Sequence, residues 1–158
     1  MSRADRLLDA LAERELDALL VTEAVNVRWL TGFTGTAGLA VVGSELRGFV
    51  TDFRYVERAA AEVGDSFDHH RAPRELVEAL PDVLPADRPL RLGFDDAHVS
   101  VRAHARLREL LDDRVELVAA GGAVESERAV KEPGEVRRIA AAAQLADEVG
   151  RASCRERV

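Results

Sequence analysis

Apolar residues along this chain change their period several times, and each change predicts an element. Ser2 followed by Asp5 has the form of a capping box. Ala4, Leu7, Leu8, Leu11 and Ala12 then recur at i, i+3, i+4, i+7 and i+8, the stripe of an amphipathic helix. "DALLVT" (17–22) is almost continuously apolar, as a strand buried on both faces would be. "EAVNVRWL" predicts a helical turn, and "LAVVG" and "RGFVT", after a glycine-rich loop, predict an antiparallel hairpin. Asp52 stands where the second hairpin strand ends, positioned to N-cap a helix. Val56, Ala59, Ala60 and Val63 would be that helix's buried face and Gly64 its stop.

Further on, "FDHHRA" is a weak strand and "RELVEAL" a short helix that Pro81 breaks or bends. "PLRLGFD" is a better strand. Ser100 caps a helix with Leu107, Leu110 and Leu111 inward, and "VELVA" is a strand closed by Gly121-Gly122. The sum is an α/β fold, a mixed and roughly six-stranded sheet with flanking helices. Composition shifts near residue 130. Pro133 suits the first position of a new helix, for which Val136, Ile139, Ala140, Ala143 and Val149 form an apolar stripe that needs a partner. Gly150 should interrupt it, and "RASCRERV" has neither helical nor strand period. The expected organisation is a domain over 1–130, a linker and first helix of a further domain over 131–150, and an unplaced tail over 151–158. That tail reads as an artificial or frameshifted end.

Composition narrows the function classes. The chain has 158 residues, 29 acidic against 22 basic, for a net charge of −7. Lys131 is the only lysine, and the arginines alternate with acids. That pattern offers no electrostatic footprint for nucleic acid or an anionic membrane. The N-terminus lacks an uninterrupted apolar stretch of the kind that a secretory signal requires. The lone Cys154 excludes an internal disulfide and fits a reducing compartment, so the expected location is cytoplasmic.

The loop "LTGFTGTAGLAVVG" (30–43) carries the most information. A dinucleotide site needs G-x-G-x-x-G between a strand and a helix, whereas Gly32, Gly35 and Gly38 are spaced G-x-x-G-x-x-G ahead of a strand. Nucleotide binding is therefore excluded as an expectation, and a loop needing positive φ or close backbone approach is the alternative. Elsewhere, adjacent His69 and His70 would point to opposite faces of a strand. His98 and His104 lack zinc-helix spacing, so all four histidines read as surface or satisfied core residues. The pairs Asp95-Asp96 and Asp112-Asp113 read as solvated turns or caps. No G-x-S-x-G elbow supports a serine nucleophile.

"NVRWLTGFTGTAGLAVV" (26–42), followed by "VTDFRYVERA" (50–59), resembles the N-terminal domain of the Xaa-Pro peptidases, aminopeptidase P and prolidase, with their relative creatinase. "SERAVKEPGEVRRIAAAAQLADEV" resembles the segment where that family crosses into its catalytic domain. The resemblance implies a metallopeptidase parent that cleaves the bond before proline. Its peptide substrate has proline at the second position, and the parent is a homo-oligomer. It also implies two divalent ions of the Mn, Co or Zn type, held by two Asp, one His and two Glu of a domain that this chain lacks. The chain would then be a truncated, inactive piece with no cofactor of its own. It implies that Phe33, Arg54 and Tyr55 lie near the rim of a substrate cleft. The residues alone also allow Asp52 as a helix cap, Tyr55 as a core residue, and Arg54 as a partner for Asp52 or a carbonyl. A free-standing α/β binding module without peptidase activity is the alternative function.

Overall fold

The computed structural model describes residues 2–155, with side chains to residue 151. The chain divides into two compact units, Met1–Glu127 and Arg128–Val158.

The first unit is built round β1 (Ala18–Val21), whose four residues are all buried. Alternation sends Leu19 and Val21 to one face of the sheet and Ala18 and Leu20 to the other, and each face is covered by its own apolar cluster. β1 pairs antiparallel with β2 (Gly38–Gly43) and parallel with β5 (Leu90–Phe94). β2 pairs antiparallel with β3 (Arg47–Thr51), and β3 pairs parallel with β4 (Asp68–Arg71). β5 pairs parallel with β6 (Val115–Ala119), giving the order β4-β3-β2-β1-β5-β6. This is the expected mixed six-stranded sheet. Because β2 alone runs against the others, five strands end at the same edge.

On the Leu19 face lie α1 (Arg3–Glu13), α2 (Ala24–Thr31), α3 (Val56–Glu62) and α6 (Ala123–Ala129). On the Leu20 face lie a 3-10 turn (Leu76–Ala79), α4 (Leu80–Val83) and α5 (Val101–Leu110). Ser2 and Asp5 form the expected capping box: the Ser2 amide donates to Asp5 Oδ2 at 2.7 Å and the Asp5 amide to Ser2 Oγ at 3.1 Å.

Several expectations need correction. Asp52 does not cap α3, whose N-cap is Tyr55 with no side-chain bond. The Asp52 carboxylate is instead occupied two residues on, by Arg54. Only Ala59 and Val63 of the expected α3 face are buried, whereas Val56 is exposed, because α3 sits at the outer part of the sheet. The expected short helix over "RELVEAL" is a 3-10 turn, Leu76–Ala79, and it changes to the α-helix α4 at Leu80, directly before Pro81. Pro81 falls in the first turn of α4, where its missing N–H costs nothing. Of the three leucines assigned inward on α5, Leu107 is buried and Leu110 and Leu111 are half-buried. The short α6 follows directly on the Gly121-Gly122 turn.

In the second unit, α7 (Pro133–Arg155) runs through Gly150. One glycine costs a helix about 1 kcal/mol relative to alanine, too little to end a long alanine-rich one. Val136, Ile139, Leu145 and Val149 are all exposed, at 52–63%. At about 100° per residue, Val136, Ile139 and Ala143 share one side, whereas Leu145 and Val149 face the other. The helix thus presents large apolar groups on two sides rather than the one stripe expected.

The capping box sets an acid limit on stability. The Ser2 amide and hydroxyl, and then Arg47, hold the Asp5 carboxyl down from 3.8 to about 2. A lowered folded-state value stabilises above 3.8, and that contribution is lost as pH falls toward 2. Asp5→Asn should therefore lower the melting temperature at neutral pH, with the difference from wild type vanishing in strong acid, as read by circular dichroism.

Candidate functional site

The glycine loop is organised by one ring. Gly32 closes α2 in the left-handed region at φ 83°, and its amide donates to the Arg28 carbonyl. This turn sends Phe33 inward, where it is 1% exposed and meets Phe49 edge-on at 4.9 Å and Tyr55 at 5.8 Å. A Cβ on Gly35 would lie 2.3 Å from Phe33 Cζ and 2.8 Å from Tyr55 Cδ1, and one on Gly38 would lie 2.9 Å from Phe33 Cε1. The second and third glycines therefore exist to admit the ring, which is why the loop has neither nucleotide-site spacing nor context. Its threonines tie it down. The Thr34 amide and hydroxyl both donate to Glu62, each at 2.7 Å, Thr36 Oγ1 meets Tyr55 Oη at 2.9 Å, and Thr51 Oγ1 donates to the Ala37 carbonyl at 2.6 Å.

Arg54 and Tyr55 follow β3 at the same edge. The Arg54 guanidinium donates to Asp52 Oδ2 through Nε at 3.0 Å and Nη2 at 2.6 Å, and its amide donates to Asp52 Oδ1 at 2.9 Å. The Arg54 bond is the main reason the Asp52 carboxyl lies below its ordinary range. The Arg54 side chain remains 58% exposed, and its guanidinium carbon lies 5.5 Å from the Tyr55 ring centre. Beside it opens a depression of about 450 Å³ lined by Asp52, Phe53, Arg54, Ala72, Pro73 and Arg74. Phe53 is 74% exposed there. The structure thus brings Phe33, Arg54 and Tyr55 together, with Arg54 at the surface, Tyr55 half-buried and Phe33 beneath.

A second cluster lies at the carboxyl ends of β1, β5 and β6. Asp95 follows β5 directly and is 8% exposed. Its Oδ1 accepts from the Ala97 amide at 3.1 Å, and its carbonyl accepts from the amides of His98 and Val99, a turn that brings the His98 ring back over the carboxylate. His98 Nε2 lies 3.7 Å from Asp95 Oδ2 and 3.9 Å from Glu125 Oε1 on α6, and Nδ1 lies 3.6 Å from Glu23 Oε2. The buried Asn26 amide donates to Glu125 Oε1. Burial, and then the charge of Glu125, push the Asp95 carboxyl up. Asp95 makes the expected turn but is buried rather than solvated, whereas Asp96 is exposed and His98 lies at the surface as expected, beside three carboxylates. Glu125 lies thirty positions beyond Asp95, and only the parallel pairing of β5 with β6 brings them together. An acid directly after a predicted parallel strand was the available signal, since open α/β sheets gather ligands at that edge. His69 and His70 do fall on opposite faces of β4, as expected.

The geometry defines a mixed α/β domain whose candidate chemistry gathers at the carboxyl ends of its strands. The chain belongs to the creatinase/prolidase N-terminal domain family, which it matches over residues 3–130. It is 32% identical over 149 residues to the uncharacterized peptidase YqhT of Bacillus subtilis, covering 94% of this chain and 42% of that protein. The N-terminal domain of the cytoplasmic peptidase PepQ of Mycobacterium tuberculosis H37Rv is 30% identical, with a TM-score of 0.69 over 78% of this chain and 96% of that one. The prolidase of Pyrococcus horikoshii OT3 shares the fold at 16% identity, with a TM-score of 0.80 over 99% of this chain and 43% of that one.

Filling the space that Phe33 occupies should be costly. Gly35→Ala is expected to destabilise the chain by about 1–3 kcal/mol through overpacking. The same substitution in a Phe33→Leu background should cost clearly less, the two changes coupling by about 1 kcal/mol or more in a double-mutant cycle of denaturant melts.

Proposed function

We infer that residues 1–130 form the non-catalytic N-terminal domain of an Xaa-Pro peptidase, acting on peptides with proline at the second position. In this reading the domain walls the substrate cleft and takes part in contacts between subunits. The observation that carries it is the family match over residues 3–130, joined to a glycine loop and strand-end arginine built as one rigid unit. Residues 131–150 then begin the catalytic domain. The two apolar sides of α7 support this, because exposed groups of that size need cover from further structure. Among the described residues no helix is long and apolar enough to cross a membrane, and the proposed location is cytoplasmic.

The metals of the proposed parent do not belong to this chain. A dinuclear centre of two Asp, one His and two Glu needs five donors, and the one cluster of candidate ligands among the described residues offers three. In this reading the chemistry belongs to the parent's catalytic domain. The part of this chain is to present a surface. Arg54 sits where its guanidinium could share itself between Asp52 and a peptide carboxylate, a geometry that planar fork–fork pairing favours. Tyr55 stacks under that guanidinium, and Phe33 keeps Tyr55 in place from below.

The purified chain with Mn²⁺ should not cleave an Xaa-Pro peptide, and turnover would refute the reading. When the chain replaces the matching segment of the Bacillus subtilis relative, the chimaera should cleave Xaa-Pro peptides. Arg54→Ala in that chimaera should raise KM about tenfold with kcat little changed, the mark of lost binding that is uniform along the reaction.

A further inference from the structure

We propose that Asp95, His98 and Glu125 hold one divalent transition-metal ion of the zinc class, at a site separate from the dinuclear centre of the proposed peptidase. Asp95 Oδ2 is the one buried side-chain oxygen among the described residues that has no hydrogen-bond partner. Asp95 is 8% exposed as a residue and 11% in its side chain, and this oxygen lies 3.7 Å from His98 Nε2. One ligand atom from each of Asp95, His98 and Glu125 falls within 4.8 Å of the other two. A tetrahedral ion with bonds of about 2.0–2.2 Å has ligands about 3.3–3.6 Å apart. The separations of 3.7 Å and 3.9 Å from His98 Nε2 to the two carboxylates need to close by a few tenths of an ångström, and the carboxylates, within 4.8 Å of each other, by up to about 1.5 Å.

The surroundings orient each donor as a metal site requires. Glu23 Oε2 faces His98 Nδ1 at 3.6 Å, so a proton on Nδ1 leaves the Nε2 lone pair directed at Asp95 and Glu125. A carboxylate behind a histidine in this way is the usual outer support of a metal-bound imidazole. The Asn26 amide holds Glu125, and the Ala97 amide holds the other Asp95 oxygen. A cavity of about 10 Å³, room for about one water-sized sphere, lies behind the two carboxylates, lined by Asn26, Asp95, Ala120 and Glu125 with apolar residues of β1 and α6 but not by His98. One imidazole with two carboxylates suits zinc, manganese, iron or cobalt better than calcium or magnesium, which favour all-oxygen shells. Three protein donors leave a fourth position, on the side where His98 and Glu125 meet solvent. Without an ion, two carboxylates with a shared charge problem face one imidazole. The competing arrangement is an imidazolium bridging Glu23, Asp95 and Glu125, and it binds no metal.

The full chain, stripped with chelator and titrated with ZnCl2 at neutral pH by calorimetry, should bind one equivalent with a dissociation constant of about 1 μM or tighter. Asp95→Asn and His98→Ala should each weaken binding more than about 100-fold, and Glu23→Gln about tenfold. His69→Ala/His70→Ala and Cys154→Ser should bind as wild type does. Nitrogen-15 spectra should show His98 Nε2 losing its proton or lone-pair signal to the ion. Asp95→Asn removes a buried charge without changing shape, so a folded variant is available whatever becomes of His98→Ala. Binding no tighter than about 1 mM, binding that survives Asp95→Asn, or a His98 ring that stays doubly protonated in excess zinc would overturn the proposal. So would binding lost with His69 and His70.

Discussion

The structure depends on a four-residue strand that has no solvent face. Each β1 side chain must be covered, Leu19 and Val21 by one layer of helices and Ala18 and Leu20 by the other. A strand with one wet face resists a register slip because the slip would bury its polar residues, whereas in β1 a slip would exchange only one apolar residue for another, Leu19 and Val21 moving to the layer packed round Ala18 and Leu20. Pairing with β2 on one side and β5 on the other is therefore set by the fit of each side chain to its own layer and by the close approaches of the backbone. Gly43 shows how tightly, since a Cβ there would lie 2.6 Å from the Asp17 carbonyl oxygen. From that fixed centre the rest follows: a hairpin outward through β2 and β3, parallel crossovers to β4, β5 and β6, and helices on both faces.

The second dependency is local. Phe33 replaces what would otherwise be a mobile loop with a packed one. Two glycines make room for its ring, a third turns the chain, and Phe49 and Tyr55 meet it edge-on. Such edge-to-face pairs add to the burial of their area. Because the same Tyr55 lies under the Arg54 guanidinium, the exposed arginine is positioned by a buried phenylalanine that no ligand can reach. A role for Phe33 at a cleft is thus support from behind.

Much of this was legible in the chain. The capping box, the hairpin, the buried β1 and the later strands are local patterns, and they form where their periods indicate. The failures share a cause: each was decided by a partner distant in sequence or by a local competitor. Asp52 has the chemistry of a cap, but Arg54 two residues away offers two N–H groups and a charge and wins the carboxylate. Val56 and Ala60 have helical spacing, yet how much of a helix is buried depends on where the sheet ends. Gly150 is a helix stop only when its neighbours are indifferent to helix, and an alanine-rich segment is not. Asp95, His98 and Glu125 were read one at a time, because nothing in "GFDDAH" announces a glutamate thirty positions on.

Topology explains why both candidate surfaces occur where they do. With β2 alone reversed, β1, β3, β4, β5 and β6 deliver their carboxyl ends to one edge, and β2 begins there. Glu23 follows β1, Asp52 to Tyr55 follow β3, Ala72 to Arg74 follow β4, Asp95 follows β5 and Glu125 follows β6. The glycine loop enters the same edge at Gly38. Residues leaving the ends of parallel strands are freed from the ladder while their neighbours stay held by it. Their backbones are thus placed by the sheet and their side chains are free for other work. One end of the domain therefore carries both the arginine–tyrosine rim and the acid–histidine cluster, while the opposite end holds tight turns such as the one closing β2 to β3. The proposed role as a wall asks for one elaborated edge and one plain one, and a single reversed strand in an otherwise co-directional sheet supplies that asymmetry.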